Sequence, residues 1–511
     1  MRSIRKLAGS ATRGVRLLAG VSVIALATPA FSAVPNPTVT GPIPVTVPLG
    51  DPSHDYPQLA TQADLAGNGY MEEEYFVQGT ANEYDVISAP LANATIRTSG
   101  NPYKTRMIVR RPVSADRFNG VVLVEWLNVT SGYNLDALWL LQQDHLMREG
   151  YAYVGVSVQR VGVQGTPTDP THPTSLTLWS PIRYATLDVT AGGRFVLANN
   201  GGVNASDALS FDIMAQAGQA VKHPAGVDPL AGLSTDRIVL ASGVSQSEGF
   251  LASYYNSVHA RDPVYDAFFL YLGISRGAYG AFRLPLRSDL PTRVFKVNTE
   301  NDVALLGEYT IRQPDSATLH TWEIAGASHV GFDPRGLRGL LLARDNILPA
   351  SLSGCTQGPP LSHVPASRAL DAAIGHTVRW VVDGTEPPAA PRIQLTSAPP
   401  VPPPPPAPFV PPPAPVARDS DGNALGGLRL SQHSVPTATN TGVNAGVGFC
   451  ILFGTYVPFS DARLSQLYRN HGSYVARVAH ATDDNLKAGY IVEADAELDK
   501  QAAADSEIGK Q

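Results

Sequence analysis

The chain has 511 residues, of which 43% are hydrophobic and 16% are charged, and its formal net charge at pH 7 is −6. This composition supports a large buried core and excludes a globally disordered chain. The basic residues are scattered and form no stripe, which argues against a nucleic-acid partner.

The first 33 residues have the pattern of an export signal. Their basic residues are Arg2, Arg5, Lys6, Arg13 and Arg16. A short apolar run, LLAGVSVIALATPA, follows and leads into the small residues of FSAVPNP, so cleavage after Ser32 or after Ala33 fits. The run is too short to span a bilayer comfortably, and the first 33 residues contain no adjacent arginine pair. We therefore expect a general secretory signal, no stable membrane anchor after its removal, and a periplasmic or secreted protein.

Strands and helices alternate after the Pro- and Thr-rich residues 34–66. The first strand-like stretches are EEYFVQG, YKTRMIVRRPV and GVVLVEWLNV. The third is almost continuously apolar, which is typical of a strand buried on both faces. NLDALWLLQQDHLMREG predicts a helix with Asn134 as its N-cap and Gly150 as its stop, and YAYVGVSV predicts the next strand. Strand, helix, strand in this order predicts a parallel sheet.

The alternation breaks between about residues 160 and 209, which we interpret as an insertion over the carboxyl edge of the sheet. It then resumes with the helix FDIMAQAGQAVK, the strand DRIVLASGV and the helix SEGFLASYYNSVHA. Three further strands are YDAFFLYLG, TRVFKVN and LHTWEIAG. The predicted domains are therefore a core over 34–350, with that insertion, and a C-terminal extension over 351–511 that packs on the core. Specificity is expected to depend on the insertion and the extension.

The C-terminal extension carries a polyproline segment and the only two cysteines. Residues 398–415 must be extended and are interpreted as a spacer or surface loop. In an oxidising compartment Cys355 and Cys450 are candidates for a disulfide, with two free thiols as the alternative. No Cys/His cluster, phosphate loop or dinucleotide fingerprint is present, so we expect neither a metal nor a cofactor.

The pentapeptide GVSQS, residues 243 to 247, matches the pattern G-x-S-x-S between a predicted buried strand and a predicted helix. The usual nucleophile elbow is G-x-S-x-G, with small residues flanking the serine because strand and helix backbones approach closely. Only Ser245 has the required spacing from Gly243. The pattern alone is weak, and a helix N-cap serine without chemistry is the alternative. Its place between strand and helix favours a nucleophile.

The partners of such a serine are expected downstream in the order acid, then histidine. Asp302 follows the strand TRVFKVN, with Glu300 as the alternative acid two residues earlier. His329 follows the strand LHTWEIAG, in a loop of small residues. A histidine in this role moves the serine proton, and the carboxylate fixes its tautomer. We therefore predict a triad of Ser245, His329 and Asp302 or Glu300.

An oxyanion hole requires two backbone N–H donors. The residue after the nucleophile, Gln246, is expected to supply one of them. The other is expected from the loop after VVLVEWLNV, where Leu127 and Asn128 are both candidates. We select Asn128 on topology alone, because the chain has no HGGG sequence.

These motifs resemble a bacterial family usually labelled only alpha/beta hydrolase domain-containing protein. The resemblance covers most of the chain after residue 33, including VVLVEWLNVTSG, GVSQSEGFL, VNTEND, GASHVG and, in the extension, GGLRLSQHSVPTATNTG. It implies an α/β-hydrolase fold, with a mostly parallel central sheet and helices on both faces.

As to activity, the resemblance implies a serine esterase acting on a small-molecule ester. An acyltransferase or peptidase with the same triad, and a non-catalytic envelope binding module with this fold, are the alternatives. Neither the physiological ester nor the oligomeric state follows from the sequence.

Overall fold

A computed structural model describes residues 34–85, 92–165, 174–191, 207–273, 285–349, 352–398 and 413–510. The predicted export signal, most of the polyproline segment and much of the predicted insertion lie outside the described residues. Val34–Gln511 forms one compact unit.

The described strands are β1 (Thr38–Thr40), β2 (Tyr70–Tyr84), β3 (Ile96–Pro112), β4 (Val121–Trp126), β5 (Ala152–Val156), β6 (Ile238–Val244), β7 (Ala267–Tyr271), β8 (Arg293–Thr299), β9 (Leu319–Ile324), β10 (Ala438–Thr441) and β11 (Thr455–Pro458). The helices are α1 (Ala137–Glu149), α2 (Arg160–Val163), α3 (Leu176–Trp179), α4 (Pro181–Tyr184), α5 (Ser210–Lys222), α6 (Gln246–Tyr254), α7 (Glu300–Ala304), α8 (Phe332–Arg344), α9 (Ala366–Asp383), α10 (Ser431–Ser434), α11 (Asp461–Leu467), α12 (His471–Lys487) and α13 (Glu493–Asp505).

The main sheet has nine strands in the order β1-β2-β3-β5-β4-β6-β7-β8-β9. The six strands from β5 to β9 in this order are parallel, and β1, β2 and β3 add an antiparallel edge. The predicted parallel sheet is therefore confirmed. The antiparallel edge is longer than the sequence suggested, because β2 and β3 pair over nearly their full lengths.

Helices cover both faces of this sheet, as predicted, and β4 shows how. Its residues Val122, Val124 and Trp126 belong to one apolar cluster, which also contains side chains of α5 and α6. Val121 and Leu123 belong to a second cluster, which contains side chains of α1 and α9. Successive strand residues point to opposite faces, so a strand covered on both sides has to be apolar throughout.

The start of α1 differs from the prediction. The helix begins at Ala137 with Asp136 at its N-cap position, so Asn134 is not the cap. Asn134 Nδ2 instead donates a hydrogen bond to the Gly162 carbonyl, with 2.8 Å between the atoms. The predicted stop is correct, since Gly150 is left-handed at φ 81°.

The C-terminal extension packs against the core. Its residues Val364, Leu370, Ile374, Leu428 and Ile491 share an apolar cluster with strands β8 and β9. Leu428 also pairs with Ile324 in a parallel bridge at the open edge of β9. The boundary at residue 350 between core and extension stays a prediction. Within the part of the chain that the structure describes, no helix combines the length and apolar character needed to cross a bilayer.

The predicted disulfide is present in the structure between Cys355 and Cys450, which are 95 positions apart in sequence. Cys450 is buried in the short helical segment Gly448–Leu452. The bond therefore fixes this segment to the start of the extension.

Replacing both cysteines with serine is expected to destabilise the protein. A loop of this length corresponds to an upper figure of about 4–5 kcal/mol in the chain-entropy model. Chemical denaturation of the oxidised wild type and of the double variant measures the difference. A variant that is as stable as the wild type would contradict this role of the disulfide.

A buried acid in the middle of the sheet predicts a pH dependence of stability. Burial raises the pKa of Glu125 to about 8. Its two oxygens accept hydrogen bonds from the Tyr153 hydroxyl at 2.6 Å and the Leu138 N–H at 3.0 Å. Between its ordinary pKa and about 8, the folded chain retains a proton that the unfolded chain releases. The free energy of unfolding therefore falls as pH rises through this range, and the loss persists above it.

Glu125→Gln removes this titration and keeps the side-chain shape. We expect thermal unfolding at about pH 5 and about pH 9 to show a smaller loss of stability at high pH in the variant than in the wild type. An equal loss of stability between the two pH values in both proteins would mean that folded Glu125 does not retain a proton in this range.

Candidate active site

Ser245 lies at a sharp turn between β6 and α6. Its backbone has φ 62° and ψ −122°, a conformation that costs a non-glycine residue about 1–3 kcal/mol. The close approach of strand and helix explains Gly243, because a Cβ there would lie 2.8 Å from the Ser247 carbonyl oxygen. This geometry is that of a nucleophile elbow, with the serine held at the apex.

Ser247 stands where the usual elbow has glycine, and the structure gives the reason that serine fits. Its hydroxyl donates to the Val244 carbonyl oxygen at 2.9 Å and accepts from the Val244 N–H at 3.0 Å. Both groups belong to the turn itself. Ser247 therefore stabilises the elbow and is not directed at the site.

The structure brings Ser245, His329 and Asp302 together. His329 Nε2 lies 2.6 Å from Ser245 Oγ, and His329 Nδ1 lies 2.6 Å from Asp302 Oδ1. Asp302 is fully buried, and His329 is 6% exposed. The three residues follow the ends of β6, β8 and β9. In the sheet β8 and β9 are neighbours, and β7 lies between β6 and β8. Both histidine nitrogens are engaged, one by the serine and the other by the carboxylate.

A capping motif that was not predicted from the sequence holds Asp302 in place. Thr299 is the N-cap of α7, and Asp302 Oδ2 accepts from its N–H at 2.6 Å and from its hydroxyl at 2.8 Å. Thr299 and Asp302 have the spacing of a capping box, so the signal was present in TEND. With Oδ2 fixed by Thr299, Oδ1 is directed at His329.

Glu300 has different partners. Its Oε2 accepts from the Gly326 N–H at 2.9 Å, and its Oε1 pairs with Arg418 Nη2 at 2.7 Å. Gly326 begins the loop that carries His329, and Arg418 belongs to the C-terminal extension. Glu300 therefore anchors the histidine loop to the extension, and Asp302 is the carboxylate that contacts His329.

Gln246 is the first residue of α6, where a backbone N–H has no acceptor within its own helix. Its position directly after Ser245 is the one predicted for an oxyanion donor. The Gln246 N–H, next to Ser245, therefore makes no hydrogen bond within α6.

The prediction for Asn128 as the second donor is wrong. Its N–H donates to the Leu135 carbonyl at 3.0 Å, and the neighbouring Leu127 N–H donates to Val156 at 3.2 Å. Asn128 acts through its side chain, since Nδ2 donates to the Val244 carbonyl at 2.9 Å. It thereby fixes the loop after β4 to the residue before Ser245.

Within the described part of that loop, some backbone N–H groups are bonded and others are not. Asn128 Oδ1 accepts from the Thr130 N–H, and Val129 accepts from the Gly132 N–H. Between Val129 and Asn134, the N–H groups without a hydrogen bond to a described residue are those of Val129, Ser131, Tyr133 and Asn134. We expect a second donor from this loop to be one of these four.

The amino-acid sequence matches the family described as alpha/beta hydrolase domain over residues 39–499. The chain belongs to the alpha/beta hydrolase domain family. The family resemblance and the fold class that the motifs predicted are confirmed. No curated protein matches the sequence significantly.

Among solved structures, this alpha/beta hydrolase is similar to an alpha-beta serine hydrolase homologue from Coxiella burnetii, at 12% identity, covering 52% of this chain and 97% of that one, with a TM-score of 0.27. It is also similar to a cold-adapted esterase from an Arctic intertidal metagenomic library, at 13% identity and with a TM-score of 0.27. That match covers 54% of this chain and 95% of the esterase. A third similar structure is a serine hydrolase without lid from Xanthomonas campestris, at 12% identity and with a TM-score of 0.26. That match covers 53% of this chain and 97% of the other. Likenesses this weak carry no conclusion about activity.

A cavity of about 110 Å³ lies beside Ser245 and His329 in this hydrolase. Apolar side chains dominate its lining, among them Leu135, Leu140, Leu272, Phe449, Leu452 and Phe453. The last three belong to the C-terminal extension, in and next to the segment held by the disulfide. None of the described residues between 160 and 191 lines the cavity. The extension therefore shapes the site, as expected, whereas the described part of the predicted insertion does not.

An aromatic stack forms another part of the cavity wall. The His363 ring lies 4.3 Å from Phe332 and 3.8 Å from Tyr456 between ring centroids. His363 and Phe332 both line the cavity. Across the described residues, no cluster of three or more His, Cys, Asp or Glu side chains is placed to hold a metal ion.

Proposed function

We propose that this protein is an exported serine hydrolase that cleaves carboxylic esters through Ser245, His329 and Asp302. The observation that carries the proposal is the continuous chain of contacts from Ser245 Oγ to His329 and from His329 to Asp302, each 2.6 Å long. These are the distances that a nucleophile, its base and the group that orients the base require. The strained elbow at Ser245 supports the same role.

The proposed reaction begins when Ser245 Oγ attacks the ester carbonyl carbon and His329 Nε2 accepts the serine proton. Asp302 keeps Nδ1 of His329 protonated and stabilises the resulting imidazolium. The Gln246 N–H donates to the developing oxyanion, together with a second donor from the loop after β4. The intermediate collapses to an acyl-serine as His329 protonates the departing alcohol. Water then attacks the acyl-serine by the reverse proton path and releases the acid.

The apolar cavity supports an ester as substrate. Its lining would accept a short aliphatic or aromatic acyl or alcohol group, and the buried volume is small. An acyltransferase would use the same acyl-serine but pass the acyl group to an alcohol instead of water. A peptidase would use the same residues on an amide.

Export is part of the proposal. Two observations support it, namely the basic and apolar pattern of residues 1–33 and the Cys355–Cys450 disulfide, since disulfides persist in oxidising compartments. We propose that the mature protein works in the periplasm or outside the cell, as an enzyme and not as a binding module.

Stopped-flow measurement with p-nitrophenyl butyrate tests the proposed activity. We expect a burst of p-nitrophenolate equal to the enzyme concentration when deacylation is slow, or steady turnover when it is not. Partition of the acyl group between water and added alcohol distinguishes a hydrolase from an acyltransferase, and a matched anilide tests peptidase activity. Folded protein that turns over none of these compounds would contradict catalysis and favour a binding module.

A further inference from the structure

The described residues that line the cavity beside Ser245 include an arginine and no Asp or Glu. The arginine is Arg338. Arg338 lies on α8, which begins three positions after His329. A buried or partly buried cation is normally paired, so an arginine facing a substrate cavity without a carboxylate is a candidate for binding an anion.

Arg338 has no ion pair or hydrogen bond to any residue that the structure describes. Arg344 on the same helix, in contrast, pairs with Asp345 at 2.6 Å. Arg335 also faces this region, with its guanidinium 5.2 Å from the ring centroid of Phe453. Burial and, secondarily, the charge of Arg338 lower the pKa of Arg335. Arg335 and Arg338 are therefore neighbouring cations on α8.

Side chains with hydroxyl groups also line this cavity. Thr130 and Ser131 are, like Arg338, among its lining residues. Burial raises the pKa of Tyr133, and the charge of Arg338 acts in the opposite direction. Arg338, Thr130 and Ser131 therefore face the same cavity. A guanidinium with hydroxyl donors beside it is the usual environment of a bound carboxylate.

We propose that the ester substrate carries a free carboxylate, as in the half-ester of a dicarboxylic acid, and that Arg338 binds this carboxylate. The inference rests on the proposed esterase function. The apolar lining accommodates the methylene chain between the two ends of such a molecule. Arg338 then selects substrates by charge, while Ser245 attacks the ester carbonyl.

Monomethyl adipate and dimethyl adipate test this inference, since they differ in the charge of one end. We expect the wild type to have a kcat/KM for the monoanion at least about tenfold higher than for the neutral diester, after correction for its two equivalent ester groups. Arg338→Gln should lower this ratio by about tenfold or more, mainly through KM, and Arg338→Lys should retain part of it. Arg469→Gln, which removes an exposed arginine outside the cavity lining, is the matched control and should retain the full ratio.

The two proposals fail in different ways. A wild type that hydrolyses p-nitrophenyl butyrate and prefers the neutral diester, or does not discriminate, would overturn the role of Arg338 and leave the esterase proposal intact. A wild-type preference for the monoanion that Arg338→Gln does not change would overturn the same role. Folded protein that hydrolyses none of the three esters would overturn both proposals.

Discussion

Replacing Ser245 with alanine is expected to lower kcat for ester hydrolysis by about 10⁴-fold or more while the fold stays intact. Ser245 Oγ is the only atom of the side chain that contacts His329, at 2.6 Å, and alanine removes it. The change also leaves the elbow backbone without a new clash, because the Cβ is retained. Circular dichroism and thermal unfolding should therefore match the wild type, and only turnover should be lost.

Ser242→Ala is the control for this variant. Ser242 lies in β6, is fully buried and is three residues from Ser245, but its hydroxyl makes only a long 3.5 Å contact with the Val124 carbonyl. We expect it to retain most of the activity. Ser247→Ala should also retain most activity, with some loss of stability because two contacts to Val244 disappear. Activity of Ser245→Ala within about tenfold of the wild type would contradict the assignment of the nucleophile.

Replacing Asp302 with asparagine is expected to lower kcat by about 10³- to 10⁴-fold. The carboxylate accepts from His329 Nδ1 at 2.6 Å and so leaves Nε2 free to accept the serine proton. An asparagine at this position can present its amide N–H to Nδ1, which favours the wrong tautomer. The other oxygen of Asp302 is held by Thr299, so the side chain has little freedom to compensate.

Glu300→Gln is the matched control, since it changes the competing acid two residues away by the same kind of substitution. It weakens the pair with Arg418 at 2.7 Å and keeps an acceptor for the Gly326 N–H. We expect a loss of stability and only a small loss of kcat at fixed pH. A larger loss of kcat in Glu300→Gln than in Asp302→Asn would reverse the two roles. Small equal losses would mean that neither carboxylate orients His329.

The sequence was sufficient for the parallel part of the sheet and for the relation between Ser245, Asp302 and His329. Strands of a buried parallel sheet are rich in apolar residues, and the candidate residues follow three such predicted strands. The carboxyl ends of parallel strands meet at one edge of the sheet, so local patterns predict residues that are distant in the chain. The choice between Glu300 and Asp302 was harder, because it depends on a helical turn that Thr299 caps directly after β8.

Other features could not be predicted, because they depend on pairings between distant segments. Asn128 failed as an oxyanion donor because its N–H bonds to Leu135, across a turn whose shape no local pattern indicates. Phe449, Leu452 and Phe453 reach the cavity from more than a hundred positions beyond His329 in sequence. No periodicity connects these residues to the site. Their placement follows from the disulfide and from the packing of the extension on the core.

Covalent labelling at Ser245 tests the central proposal most directly. Wild-type protein treated with a fluorophosphonate probe, digested and analysed by mass spectrometry should carry one adduct, on Ser245. An excess of p-nitrophenyl butyrate should slow its formation, and Ser245→Ala should carry none. An adduct on a different residue, or no adduct on folded wild-type protein, would contradict the assignment of Ser245 as the nucleophile of an ester hydrolase.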